Sequence, residues 1–568
     1  MLSGSSAHRA LSIPELLDVV FSYLDQVDNA NNACVCRHWS EIALDSLWRE
    51  VDNVRRLFNV LAPLRNYGQG MRYEFSRGLE PSDWERFKPY SRRVRRLRFC
   101  DDFMRSKALQ SIFDAVARSR TTLAILPNLH TLEWIAPTFR SLNLSVLFMH
   151  DSVKHLIIGI PGEVVEVSPL SFFKDIVARM PAITELDLRI MAPASAIEKD
   201  TLFLFNNLPM LKKVTVPYCH ITSGAITELS KLKNLGVVEF QWGEQQGRGD
   251  VKDVQLFSPV LSEGAFPSLW DLSLYASLDH VTRFFDQKFS PTNLTMLYVG
   301  SHVLETPASL CSFLNVIADN CQLLTVLYLE LLSCHQPPEP AEDTSISFEN
   351  LRPLLRCPNV TSFEITHEYP LRVTQDQIEE LAHKWPSLKR LSLISDPVVL
   401  NPPSLTLRAL LPFARHCPRL GHLGLYVQAS VLDIPEHEEI KPFQALSQLA
   451  LGLSDVADEG AVAMVLARLC PLGCEMEFGV TWHQLLDGEF SNDEIEDTVE
   501  SVALADEVQR RCNQWREVAR LLPLMTKLRL QERERSKNMT LELEDLRTRN
   551  RILMDRAKMD ETGSCVIS

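Results

Sequence analysis

The stretch "WPSLKRLSL", Trp385 to Leu393, decides how this chain is read. Leu388, two other residues, Leu391, one other residue and Leu393 follow a Trp-Pro pair. The closing positions alternate as in a short strand with one face buried. The preceding "TQDQIEELAHKW", Thr374 to Trp385, is long enough for a helix, and the proline stops it. The same pattern recurs in "LPNLHTLEW" (Leu126 to Trp134), "MPAITELDL" (Met180 to Leu188), "LPMLKKVTV" (Leu208 to Val216), "FPSLWDLSL" (Phe266 to Leu274), "CPNVTSFEI" (Cys357 to Ile365) and "CPRLGHLGL" (Cys417 to Leu425). Weaker copies begin at Arg92, Asp151, Leu232, Thr292, Gln322 and Gln444.

About thirteen copies result, roughly 24 to 36 residues apart, near the leucine-rich range. One strand-helix unit cannot bury its own apolar face, so neighbours must stack into a solenoid. A doubly wound α/β domain also alternates strand and helix, but its strands are usually continuous apolar runs. The recurring motif therefore favours an α/β leucine-rich-repeat solenoid, and the uneven spacing makes it irregular. Stacking also explains how 568 residues form an elongated core.

Composition narrows the functional classes. Hydrophobic content of 45% and charged content of 23% are those of a globular chain. A net charge of −15 disfavours general nucleic-acid binding, which needs a positive field. No signal peptide is visible, and no apolar run is long enough to span a membrane. The 13 cysteines therefore read as reduced thiols of the cytoplasm or nucleus. No cysteine spacing suggests zinc, and no arrangement matches a nucleophile, general base or phosphate cradle, so neither cofactor nor enzyme activity is expected.

Before the repeats lies "LSIPELLDVVFSYLDQVDNANNACVCRHWSEIALDSLWREV", Leu11 to Val51. Ser12 is read as the cap and Pro14 as the first turn of a helix carrying Leu16, Leu17, Val20, Phe21 and Leu24. Asp25 to Asn32 is polar and breaks the pattern, and a second helix carries Ala33, Val35, Cys36, Trp39, Ile42 and Ala43. So small a module needs a partner to cover its remaining apolar face.

Ile13-Pro14-Glu15, Phe21-x-Tyr23-Leu24, Val35-Cys36-Arg37-x-Trp39 and Leu47-Trp48 resemble the F-box pattern. The chain departs from it at Asn29 and Ala30, where family members often carry a leucine. The resemblance to F-box proteins with leucine-rich repeats implies a substrate receptor of an SCF-type (cullin–RING) ubiquitin ligase. Its F-box would bind the adaptor subunit, and its repeats a protein substrate. The matching positions expected to face the adaptor are Ile13, Pro14, Leu17, Val20, Leu24, Val35, Cys36, Trp39 and Trp48, with Leu16, Phe21 and Ile42 assigned to the internal face. A leucine-rich scaffold without ligase role, anchored to membrane by prenylation, is the alternative.

In such a solenoid, strand residues that alternate with the apolar positions point into the concavity. Glu239, Ser273, Tyr275, Tyr298, Tyr328, Glu330, Glu364 and Tyr426 are the candidate substrate contacts, with Tyr275, Tyr298 and Tyr328 forming an aromatic strip across consecutive repeats. The expected organisation is a flexible start (1–9), an F-box module (10–55), linker or capping helices (56–90), repeats (91–482), a charged helical tail (483–562) and a terminal signal (563–568).

The tail is expected to be helical and interrupted at Pro523. Met539, Leu543, Leu546, Asn550, Leu553 and Ala557 follow four- and three-residue steps, a seam of fewer than three heptads with Asn550 at a core position. A helix packed on the solenoid end is preferred over a coiled coil. Cys565-Val566-Ile567-Ser568 matches the prenylation signal, with Ser568 favouring farnesyl. One lipid with the nearby Arg547, Arg549, Arg551, Arg556 and Lys558 would give partial, salt-sensitive membrane association.

Overall fold

A computed structural model describes residues 11–67, 72–100, 103–162, 168–240, 246–247, 249–332, 345–429, 434, 440–456, 458–480 and 499–563. The chain divides into two compact units. The first runs up to His302 and includes Asp319–Leu323; the second comprises Val303–Ala318 and the chain from Leu324 onward.

In the first unit every copy of the motif becomes a strand, and the strands pair in parallel in sequence order: Arg96–Cys100, Thr131–Ile135, His155–Ile160, Glu185–Ile190, Lys213–Thr215, Val237–Glu239, Asp271–Tyr275 and Met296–Gly300. Their register stacks like on like. Leu97, Leu132, Leu156, Leu186, Val214, Val238, Leu272 and Leu297 are successive partners and all are buried. The second unit repeats the arrangement in Val326–Leu331, Ser362–His367, Arg390–Leu393, His422–Leu425 and Gln448–Gly452, where Leu327, Phe363, Leu391, Leu423 and Leu449 form the ladder. The α/β repeat solenoid read from the sequence is thus the fold of each unit.

Proline placement sets the coil boundaries. The helices Leu170–Arg179, Ala194–Asn207, Gln375–Lys384 and Leu410–His416 end at caps Met180, Leu208, Trp385 and Cys417, each the residue before a proline. At the bend into each strand, one carbonyl accepts two consecutive amides of the next coil. Arg95 O takes His130 and Thr131, His130 O takes Lys154 and His155, and Thr361 O takes Lys389 and Arg390. These bonds satisfy the backbone where a bend would otherwise bury unpaired groups. Cys357 and Cys417 pack inside beside their prolines, and burial pushes the Cys417 thiol up to about 12.

Two strands carry no readable motif. Glu50–Val51 pairs in parallel with Arg96 and Leu97, so the sheet begins inside the segment assigned to the N-terminal module. In the second unit, Glu475–Phe478 pairs in parallel with Gln448–Gly452. Residues 56–90 hold an antiparallel hairpin, Leu64–Tyr67 with Arg72–Phe75, before the helix Pro81–Ser91, in place of helices alone.

The tail is one helix, Val499–Gly563, and Pro523 does not interrupt it. The proline removes one amide donor, but Val518, Leu522 and Thr526 around it are buried and hold the axis in place. This helix packs on Glu459–Leu469 and on the last strands of the second unit.

Candidate functional site

The N-terminal module comprises α1 (Pro14–Ser22), α2 (Gln26–Asn32) and α3 (Arg37–Arg49). The cap of α1 is Ile13, not Ser12, because Pro14 at the first position requires an extended residue before it, and Ile13 lies at φ −94°, ψ 115°. The polar stretch read as a break is the short helix α2. Asp25 caps it by accepting the Asp28 amide at 2.8 Å. Buried Asn29 donates from Nδ2 to the carbonyls of Phe21 at 2.9 Å and Leu24 at 3.3 Å. A side-chain amide thus closes the end of α1 at the position where the F-box pattern often has leucine. Cys36 caps α3, its sulfur accepting the Trp39 amide at 3.5 Å.

The internal core is Leu17, Phe21 and Ala43, with Ala33, Trp39 and Ile42 packed against it. Phe21 and Trp39 meet edge-on at 5.5 Å between centroids. Four assignments change. Trp39, expected to face a partner, is half-buried against this core. Leu17, expected to face a partner, is fully enclosed. Trp48, expected there too, is 7% exposed and packs on Tyr90 at 5.2 Å, with Arg56 stacked over it at 4.8 Å. Leu16, expected inside, is exposed. Trp48 therefore fastens the module to the helix Pro81–Ser91, and Arg93 adds ion pairs to Glu41 and Asp45.

Much of what remains uncovered is apolar. Ile13, Pro14, Leu16, Val19, Val20, Tyr23, Leu24, Val27, Val35 and Cys36 are exposed, Val20 at 46% and Val35 at 61%. Leu16, Val20 and Tyr23 follow a helical stripe on α1 opposed to the buried stripe of Leu17 and Phe21. Helix α1 is apolar over more than half its circumference, with Glu15, Asp18 and Ser22 confined to one stripe, and that width could have revealed Leu16, Val19 and Tyr23 as surface residues.

The second candidate surface is the open face of the sheets. Glu239 and Tyr298 in the first unit, and Tyr328, Glu330 and Glu364 in the second, are half-buried on it. Ser273, Tyr275 and Tyr426 are not available. Ser273 is buried opposite the larger Tyr298. Tyr275 is 4% exposed: its ring leans over Gly300, where a Cβ would lie 2.7 Å from Tyr275 Cδ2, and packs on Tyr218 at 4.8 Å. Tyr426 lies past the end of its strand beneath the C-terminal helix, bonded to Arg511 and to the Asn401 carbonyl. The aromatic strip thus reduces to Tyr298, set edge-on to Phe240 at 5.1 Å in the first unit, and Tyr328 in the second.

Charges on the open face pair with the neighbouring coil. Arg96 and Arg98 each meet Glu133 at 2.9 Å; burial opposes the Glu133 charge, but the two guanidiniums keep its pKa below the ordinary value. Lys213 meets Glu239 at 2.7 Å, and Arg390 meets Glu364 at 2.8 Å. Burial and the nearby Glu239 push Asp271 up to about 6, and burial pushes Glu330 up to about 7. Such a face is suited to polar and aromatic contact, and it is not a strong single-sign field. Among the described residues no cluster could hold a metal ion, and no helix is long and apolar enough to cross a membrane. Cys565 lies outside the described residues.

Residues 14–53 match the family model of the F-box-like domain. The chain thus carries an F-box-like domain at its N-terminal end, ahead of a parallel-strand repeat solenoid. Among solved structures, a yeast complex of Rad7 and Elc1 is similar at 12% identity and TM-score 0.37, covering 78% of this chain and 98% of that chain. The leucine-rich repeat-containing protein LegL7 from Legionella pneumophila is similar at 14% identity and TM-score 0.30, covering 54% of this chain and 85% of that one. A search of curated proteins returns no significant match.

Proposed function

We propose that this chain is the substrate-recognition subunit of an SCF-type ubiquitin ligase. The observation that carries the reading is the apolar face of the F-box-like domain, Ile13, Leu16, Val20, Tyr23, Leu24 and Val35, left uncovered by a module whose own core is already complete. A face of this kind on a module of about forty residues calls for a protein partner. The adaptor subunit is that partner, and through it the cullin. The repeats then present the open sheet faces to a protein substrate through Tyr298, Tyr328, Glu239, Glu330 and Glu364. The chain supplies binding and position; the chemistry of ubiquitin transfer belongs to other subunits. Affinity purification of the intact chain from cells treated with a proteasome inhibitor tests this reading. Adaptor and cullin should co-purify and ubiquitylated partners should accumulate. Recovery of stable partners without adaptor or cullin would instead identify a scaffold with no ligase role.

A further inference from the structure

The C-terminal helix has a covered half and a bare half. From Arg511 to Thr526 one stripe is buried: Arg511, Trp515, Val518, Leu522 and Thr526. From 531 to 556 every side chain is exposed. Counting on from Trp515, Val518 and Leu522 in alternating three- and four-residue steps leads without a break in phase to Met539, Leu543, Leu546, Asn550 and Leu553. The heptad stripe that covers the solenoid end thus continues onto the bare half, interrupted by Arg529, Glu532 and Ser536, and becomes apolar again where nothing among the described residues covers it.

We infer that Met539 to Leu553 pairs with the same segment of a second copy of this chain as a parallel, in-register coiled coil. Three observations choose this occupant. First, the seam residues take coiled-coil positions: Leu543 and Asn550 at a, Met539, Leu546 and Leu553 at d. An apolar seam with one amide wants a partner with an amide at the same level. Only the parallel in-register copy sets Asn550 against Asn550; in an antiparallel pair, a faces d and the amide meets leucine. Second, Glu542 falls at g and Arg547 at the following e, the two positions that meet between chains in a parallel pair. Self-association therefore forms the Glu542–Arg547 attraction twice. Third, basic and acidic residues are nearly balanced and interspersed along 531–556, which suits a mixed-charge helix and not an anionic lipid surface. Most helical stability in proteins comes from packing of an apolar stripe, and pairing supplies the packing this half lacks. The inference does not rest on ligase function: it concerns a different element and would hold for any role of the N-terminal domain.

The experiment is sedimentation equilibrium of the full chain over a wide concentration range, with circular dichroism to confirm retained helix. The wild type should show a reversible monomer–dimer equilibrium. Leu543→Glu with Leu546→Glu should raise the dimer dissociation constant by about a hundredfold or more. Glu542→Arg alone, and Arg547→Glu alone, should each weaken the dimer by about tenfold, and the double exchange should restore it. Asn550→Cys should give, on mild oxidation, a cross-linked peptide joining position 550 to itself. A chain that is monomeric at every concentration overturns the inference and leaves the stripe to a different protein. A dimer indifferent to the leucine substitutions places the contact elsewhere. A dimer that loses affinity with them but shows no charge rescue and no 550–550 cross-link contradicts the parallel register.

Discussion

Arg511 reaches Tyr426 across 85 positions of sequence, its Nη1 donating to the phenol oxygen at 3.0 Å and to the Leu453 carbonyl at 2.8 Å. Glu507 accepts from the same guanidinium at 2.6 Å, and Trp515, one turn on, is fully buried and donates to the Ser454 carbonyl at 2.8 Å. The tail is therefore a structural lid on the last coils of the second unit. Trp515→Ala should destabilise that unit by about 3–5 kcal/mol, the range for emptying a large buried aromatic site. Arg511→Ala should cost about 1–3 kcal/mol by leaving the Leu453 carbonyl unpaired. Hydrogen exchange over residues 420–470 checks both: protection there should fall, and protection in the first unit should not.

Gly300 and Tyr275 test the burial of the expected aromatic contact. Gly300→Ala forces the Tyr275 ring to move, because the added methyl would sit 2.7 Å from Cδ2. A loss of about 1–3 kcal/mol is expected in urea unfolding. Tyr275→Phe should leave partner capture unchanged.

Tyr298 and Tyr328 remain as open-face aromatics. Alanine at both should reduce captured substrate partners, since truncating an aromatic anchor costs about 2 kcal/mol or more at a hot spot, while adaptor binding stays intact. Quantitative proximity labelling in cells reads both quantities. Unchanged labelling would move the substrate contacts off these two positions.

Acid should weaken the first unit through His220. Burial lowers its imidazole pKa to about 4, with Nε2 donating to the Ala192 carbonyl at 2.9 Å. The unfolded chain takes up that proton near pH 6.5 and the folded chain does not until about 4. Stability attached to neutral His220 is thus whole above about pH 6.5 and is lost as pH falls toward 4, a drop of about 3 kcal/mol. His220→Gln, which keeps a donor for Ala192, should flatten that part of the stability–pH curve measured by denaturant titration.

The repeats were legible because each coil repeats the same physical problem. All thirteen motif copies are strands, and Pro181, Pro209, Pro386 and Pro418 each follow the cap of a helix. Glu50–Val51 and Glu475–Phe478 escaped because terminal strands have a neighbour on one side only and need no full motif. The period-two reading failed at strand ends. Tyr426 lies beyond the last residue of its strand, where the chain turns and alternation no longer decides direction. In the N-terminal module, composition showed an apolar helix but could not divide it between two surfaces. Leu17 and Leu16 are adjacent, chemically identical and oppositely placed, and only the position of Phe21 and Ala43 separates them. Pro523 was read as a break because local propensity says so, and packing of Trp515, Val518 and Leu522 overrides it.

The exposed face of the F-box-like domain is proposed to bind the adaptor of a ubiquitin ligase. The most direct test of this proposal is the affinity of the purified full chain for that adaptor, comparing wild type with Val20→Asp combined with Val35→Asp. Both residues are exposed, so the variant should fold with an unchanged unfolding curve. The wild type should bind tightly and the variant about a hundredfold or more weakly, the cost of setting two charges into an apolar interface. No measurable adaptor binding by the folded wild type, or equal affinity in the folded variant, would contradict it.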